Sequence, residues 1–182
     1  MRTFKTLALS VLCTGASATP FGIGSGHRNA PSHAASQEYY DLGCPEGTTK
    51  PVASIQEQIA AYDNYKNLLY TENKVAEAFN TYAAKSYINH APEIAVNGTA
   101  AVIAELSGLL ATADTKVFKN YVGYDSNGTT FGTTHFSATV PGVPTQNVID
   151  IIRMIGTCLV EHWDDIEAVN GSSPNPIAYF RR

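Results

Sequence analysis

The fold is decided by residues 146–168, whose sequence is QNVIDIIRMIGTCLVEHWDDIEA. Along both halves of this stretch the hydrophobic pattern has a period of two, which is typical of β-strands. Gly156-Thr157 interrupts the pattern and is a turn signal. The segment therefore predicts two antiparallel strands, at 146–155 and 158–168, joined by a short turn.

The rest of the chain divides into helical and strand-forming halves. The same period of two predicts strands at 115–125 and 129–140, whereas helical spacing of apolar residues predicts helices at 55–70, at about 74–82 and at 98–110. Helices followed by hairpin-linked strands indicate an α+β fold. We expect three N-terminal helices on a curved antiparallel sheet of about four strands, a cone with a pocket at its wide end.

The first 18 residues have the layout of a secretory signal peptide. Arg2 and Lys5 precede an apolar stretch that ends in small residues up to Ala18. A buried N-terminal helix is the alternative, but it would make the cleavage pattern a coincidence. Cleavage leaves 10 basic and 16 acidic residues, a net charge of −6. This balance disfavours a nucleic-acid partner, and no apolar run reaches the ~18 residues of a membrane span. We expect a secreted protein.

The mature chain is predicted to have an arm, one domain and a tail. Residues 19–52 are rich in Gly, Ser, Pro and Ala and predict a flexible arm, residues 53–169 form the domain, and 170–182 form a loop-like tail. Signal cleavage leaves two cysteines, Cys44 and Cys158. In an oxidising compartment such a pair predicts one disulfide, here between arm and sheet. Two free buried thiols are the alternative.

Three Asn-X-Ser/Thr triplets agree with secretion. They begin at Asn97, Asn127 and Asn170, each at a predicted turn or element end. Only 15% of the residues are charged, below the ~25% of an ordinary soluble domain. Glycans at these three positions would help to keep such a domain in solution.

Candidate chemical groups are few. The histidines after residue 52 are His90, His135 and His162, each in a different element. Imidazole is the commonest general acid or base because it titrates near neutrality, although each histidine also fits an ordinary structural role. Asp150 is the more specific candidate, because its strand face otherwise carries Val148, Ile152 and Met154. Such a carboxylate either has a partner or titrates abnormally, which recurs at active sites; an aspartate that holds a neighbouring strand is the alternative.

The turn decides whether Asp150 meets His162. A three-residue loop pairs Asp150 directly with His162 and brings Asp164 to the same face. A two-residue turn at Gly156-Thr157 instead places Trp163 opposite Asp150 and sends His162 to the other face. The residues alone leave both pairings open.

Three stretches carry a likeness to a known family. They are Tyr87-Ile88-Asn89-His90-Ala91-Pro92, Val148-Ile149-Asp150-Ile151-Ile152-Arg153 and Glu161-His162-Trp163-Asp164, with Asn97-Gly98 opening a helix between the first two. Over residues 55–168 the chain resembles the SnoaL-like polyketide cyclase group of the NTF2-like superfamily. The resemblance implies a cone with its pocket between sheet and helices, frequent dimerisation through the sheet, and chemistry without a metal or organic cofactor. It also favours the direct pairing of Asp150 with His162.

The resemblance further implies roles for single residues. Asp150, alone or with His162, would remove a proton alpha to a carbonyl in an aldol-type cyclisation or an isomerisation. His90 and His135 would donate hydrogen bonds to the resulting enolate. The expected substrate-binding residues are His135, Trp163 and Asp164.

The leading prediction is thus a secreted, cofactor-free protein that binds a small apolar carbonyl compound and transfers a proton. The alternative is a non-catalytic extracellular protein that binds a small molecule, and histidines without a carboxylate in hydrogen-bond reach would favour it. A zinc site built from His90, His135 and His162 is a third interpretation. It is disfavoured because their spacing is not a metal-ligand motif and the resembled family is metal-free.

Overall fold

The structure is a computed structural model that describes residues 33–92, 94–169, 173–175 and 178–180. The predicted signal peptide at 1–18 and the triplet at Asn170 lie outside the described residues. Within the part that is described, no helix has both the length and the apolar character needed to cross a membrane.

Four α-helices, one π-helical segment and five strands make up the described chain. In order they are α1 (His33–Asp41), α2 (Ile55–Lys66), the π-helical segment (Asn67–Thr71), α3 (Val75–Tyr82), β1 (Ala83–Asn89), α4 (Thr99–Leu110), β2 (Asp114–Tyr124), β3 (Thr130–Thr139), β4 (Gln146–Ile155) and β5 (Cys158–Ala168).

The strands form one sheet in the order β1-β5-β4-β3-β2. Strands β2 to β5 are antiparallel neighbours and agree with the four predicted strands to within one residue. The prediction of a purely antiparallel four-stranded sheet was nevertheless wrong, because β1 adds a fifth strand parallel to β5. Its sequence, AAKSYIN, has only a short apolar alternation, so its extended form depends on pairing with β5 rather than on local pattern.

Helices α2, α3 and α4 and the π-helical segment pack on one face of the sheet, whereas α1 contacts Arg153 and Ile155 on the other. A capping box starts α2, where the Ser54 hydroxyl accepts from the Glu57 backbone N–H and the Glu57 carboxylate accepts from that of Ser54. The main core lies between this helical layer and the sheet. Its largest fully buried side chains are Tyr62, Tyr65, Leu69, Phe79, Tyr87 and Ile152.

Part of the segment predicted as a flexible arm, on both sides of Cys44, is ordered. Helix α1 buries Tyr39 completely in a second, smaller core, and the predicted disulfide joins Cys44 to Cys158 with the Cα atoms 6.0 Å apart. Lys50 and Thr157 exchange two hydrogen bonds, at 3.0 and 2.8 Å. The small residues of this segment gave no sign that it is ordered, because the contacts that hold it are made with residues at the start of β5, far away in the sequence.

Candidate functional site

A cavity of about 330 Å³ lies between the helices and the inner face of the sheet. Its walls are mostly aromatic and aliphatic, with rings from Tyr65, Tyr70, Phe79, Tyr87 and Phe136. Its polar lining is confined to few side chains, of which Asn89, Asp150, His162 and Asp164 come from three adjacent strands. An apolar cavity with a few convergent polar groups is the usual form of a small-molecule site.

The polar groups reach one face through a bulge in β5. The hairpin has the two-residue turn, because Ile155 pairs with Cys158, but the register shifts by one residue between Arg153 and Met154. Asp150 therefore lies opposite Asp164, and His162 lies opposite Ile152. Neither predicted pairing is correct, since each assumed an unbroken ladder.

The bulge nevertheless restores the grouping that the longer turn would have given. It adds Val160 to β5 between the pairs made by Leu159 and Glu161. From Glu161 onward every side chain changes face as a result. Asp150, His162 and Asp164 consequently share the inner face, with ligand-type atoms within 4.8 Å of one another.

Asp150 is buried and is contacted through both of its oxygens. Nε2 of His162 lies 3.4 Å from Oδ1, and the hydroxyl of Tyr70 donates a short hydrogen bond to Oδ2. Tyr70 belongs to the π-helical segment and packs on Phe136 with ring centroids 4.4 Å apart. Single-turn π-helices are frequent at functional sites, and here the extra residue directs a tyrosine hydroxyl at a buried carboxylate.

The opposite nitrogen of His162 is also held. Its Nδ1 lies 2.9 Å from Oδ1 of Asn89, the β1 residue that pairs with it in the parallel ladder. The ring is therefore fixed at both nitrogens, between an amide and a carboxylate. An imidazole held between two partners is oriented for directed proton transfer.

The electrostatics of the cluster favour a proton on His162. Burial alone would lower the pKa of this imidazole, but its hydrogen bond with Asp150 and the charges of Asp150 and Asp164 raise it above its usual 6.5. Burial, reinforced by the charge of Asp150, raises the pKa of Tyr70 well above 10. Tyr70 thus stays protonated and acts as a donor to the carboxylate.

Two predicted site histidines lie elsewhere. His90 is 43% exposed, stacks on Trp163 at a centroid distance of 4.8 Å and pairs with Glu161 at 2.8 Å. His135 lies beside Asn147, 2.7 Å from its Oδ1. Neither histidine lines the cavity, and neither does Trp163.

His135 and Trp163 lie outside the cavity because successive side chains of a strand alternate between the two faces of the sheet. The side chains of β4 that face the cavity are at even positions, so a residue opposite an odd position faces outward. His135 lies opposite Ile149, and Trp163 lies opposite Ile151. His90 and His135 therefore join no cluster with His162, and the described histidines do not form a three-histidine zinc site. The only described group that could hold a metal ion is Asp150, His162 and Asp164.

Two residues that the sequence reasoning missed are Tyr70 and Asn89. Tyr70 is the last residue of the predicted helix at 55–70 and lies in the π-helical segment, so only a change of helical period could have indicated where its side chain points. Asn89 was quoted within a family motif but assigned no role. Its place beside His162 depends on β1, the strand that the hydrophobic pattern did not reveal.

Comparisons with known proteins show a likeness of fold. No protein-family model and no curated protein matches the chain. Among solved structures, a protein from Kribbella flavida is 12% identical over 61% of this chain and 87% of its own, with a TM-score of 0.50. An NTF2-like protein of unknown function from Burkholderia xenovorans is 12% identical over 63% and 89%, with a TM-score of 0.49.

A proposed polyketide cyclase from Acidithiobacillus ferrooxidans is 18% identical over 59% of this chain and 86% of its own, with a TM-score of 0.47. The likeness to the Kribbella flavida structure is one of fold. Identities this low concern the fold alone, and function has to be argued from the site itself.

Proposed function

We propose that this protein binds a small, apolar carbonyl compound in the cavity and transfers a proton in a cofactor-free, aldol-type cyclisation or isomerisation. The observation that supports the proposal is the Asp150–His162 pair, 3.4 Å apart, at the polar end of an otherwise apolar cavity. A hydrogen-bonded carboxylate and imidazole are the groups that most often move protons in enzymes.

The chemistry requires a base near the α-carbon and a place for negative charge. The Asp150–His162 pair would accept the α-proton, and the electron pair of the C–H bond would pass to the carbonyl oxygen. The surrounding aromatic walls exclude water, which strengthens each electrostatic contact in the site. His90 and His135 do not supply the hydrogen bonds to the enolate that the sequence predicted, since they lie outside the cavity.

The charge of the lining indicates a neutral ligand. Glu105, Asp150 and Asp164 are the carboxylates of the cavity, and no lysine or arginine is among the described residues that line it. An anionic ligand would meet three carboxylates against the single cation that a protonated His162 supplies, which costs binding energy. A neutral ketone or aldehyde avoids this repulsion.

Proton exchange at a simple ketone tests the proposal. 2-Tetralone is a neutral aromatic ketone that fits the proposed ligand class, and its α-hydrogens exchange measurably with D₂O by NMR. Wild-type protein should accelerate the exchange. Asp150→Asn and His162→Gln should each reduce the acceleration by about 10²–10⁴-fold. Asp165→Asn is the matched control, because Asp165 is exposed and lies on the outer face opposite Ile149.

A non-catalytic binding protein is the second candidate. The sequence criterion for it was a cavity histidine without a carboxylate in reach, and the Asp150 contact of His162 argues against it. The same experiment separates the two functions. Saturable binding of 2-tetralone with exchange no faster than in buffer would contradict proton transfer and favour binding alone.

We also propose secretion with glycans at Asn97 and Asn127. Both side chains are exposed, and Asn127 lies in the turn between β2 and β3. Expression through a eukaryotic secretory pathway should give a mass excess that glycosidase removes. Unmodified protein in the medium would contradict the proposal for the glycans, and retention in the cell would contradict it for secretion. The homodimer implied by the resemblance stays a prediction, which light scattering of the purified protein tests.

A further inference from the structure

The contacts of Asn89 define which atom of His162 carries hydrogen. Oδ1 of Asn89 lies 3.0 Å from the backbone nitrogen of Ala91 and 2.9 Å from Nδ1 of His162. A backbone N–H can only donate, so the atom that faces it is the amide oxygen and the orientation of the amide is fixed. That oxygen must then accept from Nδ1 as well, which places a hydrogen on Nδ1.

Asn89 is itself held in place. Its backbone N–H donates to Oδ1 of Asn97 at 2.9 Å, and its position in β1 pairs it with His162 of β5. The backbone N–H of the next residue, His90, donates to the carbonyl of His162 at 2.9 Å. The amide is therefore anchored to the same strand as the imidazole that it contacts.

A hydrogen on Nδ1 leaves Nε2 as the titrating atom. In neutral His162 the lone pair of Nε2 faces the carboxylate of Asp150, whose other oxygen already accepts from Tyr70. A proton placed on Nε2 would be stabilised by the carboxylate oxygen that faces it, which agrees with the raised pKa of His162. The other titratable groups that line the cavity with His162 come from the helices, β1 and β5, namely Tyr65, Glu105, Tyr87 and Asp164.

We propose that Asn89 is a positioning residue that fixes His162 in the tautomer with hydrogen on Nδ1, so that Nε2 is the atom of the ring that exchanges a proton in the cavity. The catalytic part of this inference rests on the proposed function. The positioning part concerns only the protonation of the ring, and it can be measured without a substrate.

The test is the ¹⁵N spectrum of the histidine rings in the wild type and four variants across a pH titration. The signal of His162 is assigned by its loss in His162→Gln. In the wild type, neutral His162 should show a protonated Nδ1 and a bare Nε2. In Asn89→Leu the neutral ring gains the option of donating from Nε2 to Asp150. Its hydrogen should therefore move to Nε2, and its proton affinity should fall by about tenfold, the size of one net hydrogen bond.

Asn89→Asp is the conservative variant. It retains an acceptor oxygen at Nδ1 and adds a negative charge, so the hydrogen should stay on Nδ1 and the titration midpoint should rise. Asn147→Leu is the matched control, since it removes a similar Asn–His contact, that of Asn147 with His135, outside the cavity. It should leave the signals of His162 unchanged.

An unchanged tautomer and midpoint in Asn89→Leu would overturn the positioning role. If Asn89→Leu fails to fold, Asn89→Asp decides the question, because a bare Nδ1 in that variant contradicts the proposal and a retained hydrogen with a raised midpoint supports it. These spectra do not depend on turnover. Absence of ketone exchange in the wild type would contradict the proposed function, whereas an unaltered ring in Asn89→Leu contradicts the role of Asn89.

Discussion

Replacing Asp150 by asparagine should lower stability by an amount that depends on pH. The buried carboxylate accepts from Tyr70 and faces Nε2 of His162 at 3.4 Å. Asparagine has nearly the same shape and can still accept from Tyr70 through its carbonyl oxygen. What it loses is charge, and a hydrogen bond to a charged group contributes about 1 kcal/mol more than a neutral one. With two such contacts, the loss should be about 2 kcal/mol where His162 is protonated.

The pH dependence follows from the direction of the His162 shift. The pKa of His162 is raised above 6.5 in the folded state, mainly by Asp150 once the opposing effect of burial is overcome. The stability that it contributes is fully present below the unfolded pKa and is lost as the pH rises through the folded pKa. The difference between wild type and Asp150→Asn should therefore be largest near pH 6 and should shrink toward pH 9.

Urea unfolding measures this difference. Trp163 is the only tryptophan of the chain and lies outside the cavity, so its fluorescence reports unfolding without contacting the substituted position. Unfolding is measured without reductant, to keep the disulfide, and Asp165→Asn is the control. A loss of stability that is equal at both pH values, or larger at pH 9, would refute the role assigned to the pair. A variant that no longer folds would show that Asp150 is primarily structural.

Three further predictions concern single contacts. Tyr70→Phe keeps the ring but removes one donor from Asp150, so it should cost about 1–3 kcal/mol and raise the pKa of the neighbouring imidazole further, as seen by NMR titration. Gly156→Ala should cost at least about 3 kcal/mol in urea unfolding, because φ is +55° and a Cβ would lie 1.9 Å from the carbonyl oxygen of Lys50. Cys44→Ser opens a 114-residue loop and should lower stability by about 4–5 kcal/mol in the chain-entropy account, with an unchanged urea midpoint contradicting a stabilising bridge.

The fold was largely predictable from local pattern. The four strands from β2 to β5 follow from a period of two, and α4 starts at Thr99, directly after the predicted Asn-Gly signal. Local pattern failed where an element exists because of a distant partner. Strand β1 depends on β5, and the order of the arm depends on the contacts of Tyr39 and the disulfide.

The candidate site was predicted in part. The structure brings Asp150, His162 and Asp164 together, a grouping that the residues alone left open and the resemblance favoured, but it does so through the pairing of Asp150 with Asp164, which neither sequence alternative contained. His90 and His135 were placed wrongly in the pocket, since residue type carries no information about which face of a sheet a side chain occupies. Their partners, Glu161 and Asn147, lie on the outer face of the sheet, where Glu161 is opposite Arg153 and Asn147 is opposite Ser137.

The bulge at Val160 has a consequence for how such chains are compared. It makes the chemical identity of the cavity depend on whether β5 is bulged as much as on which residues the strand contains. An unbroken ladder of the same residues would place Glu161 opposite Ile152 and Trp163 opposite Asp150, which would turn both inward and His162 outward without altering any letter of the sequence. Two chains with the same motif can therefore present unrelated interiors when only one of them carries the bulge, and two chains whose spacings differ by one residue can present the same interior when a bulge takes up the extra residue.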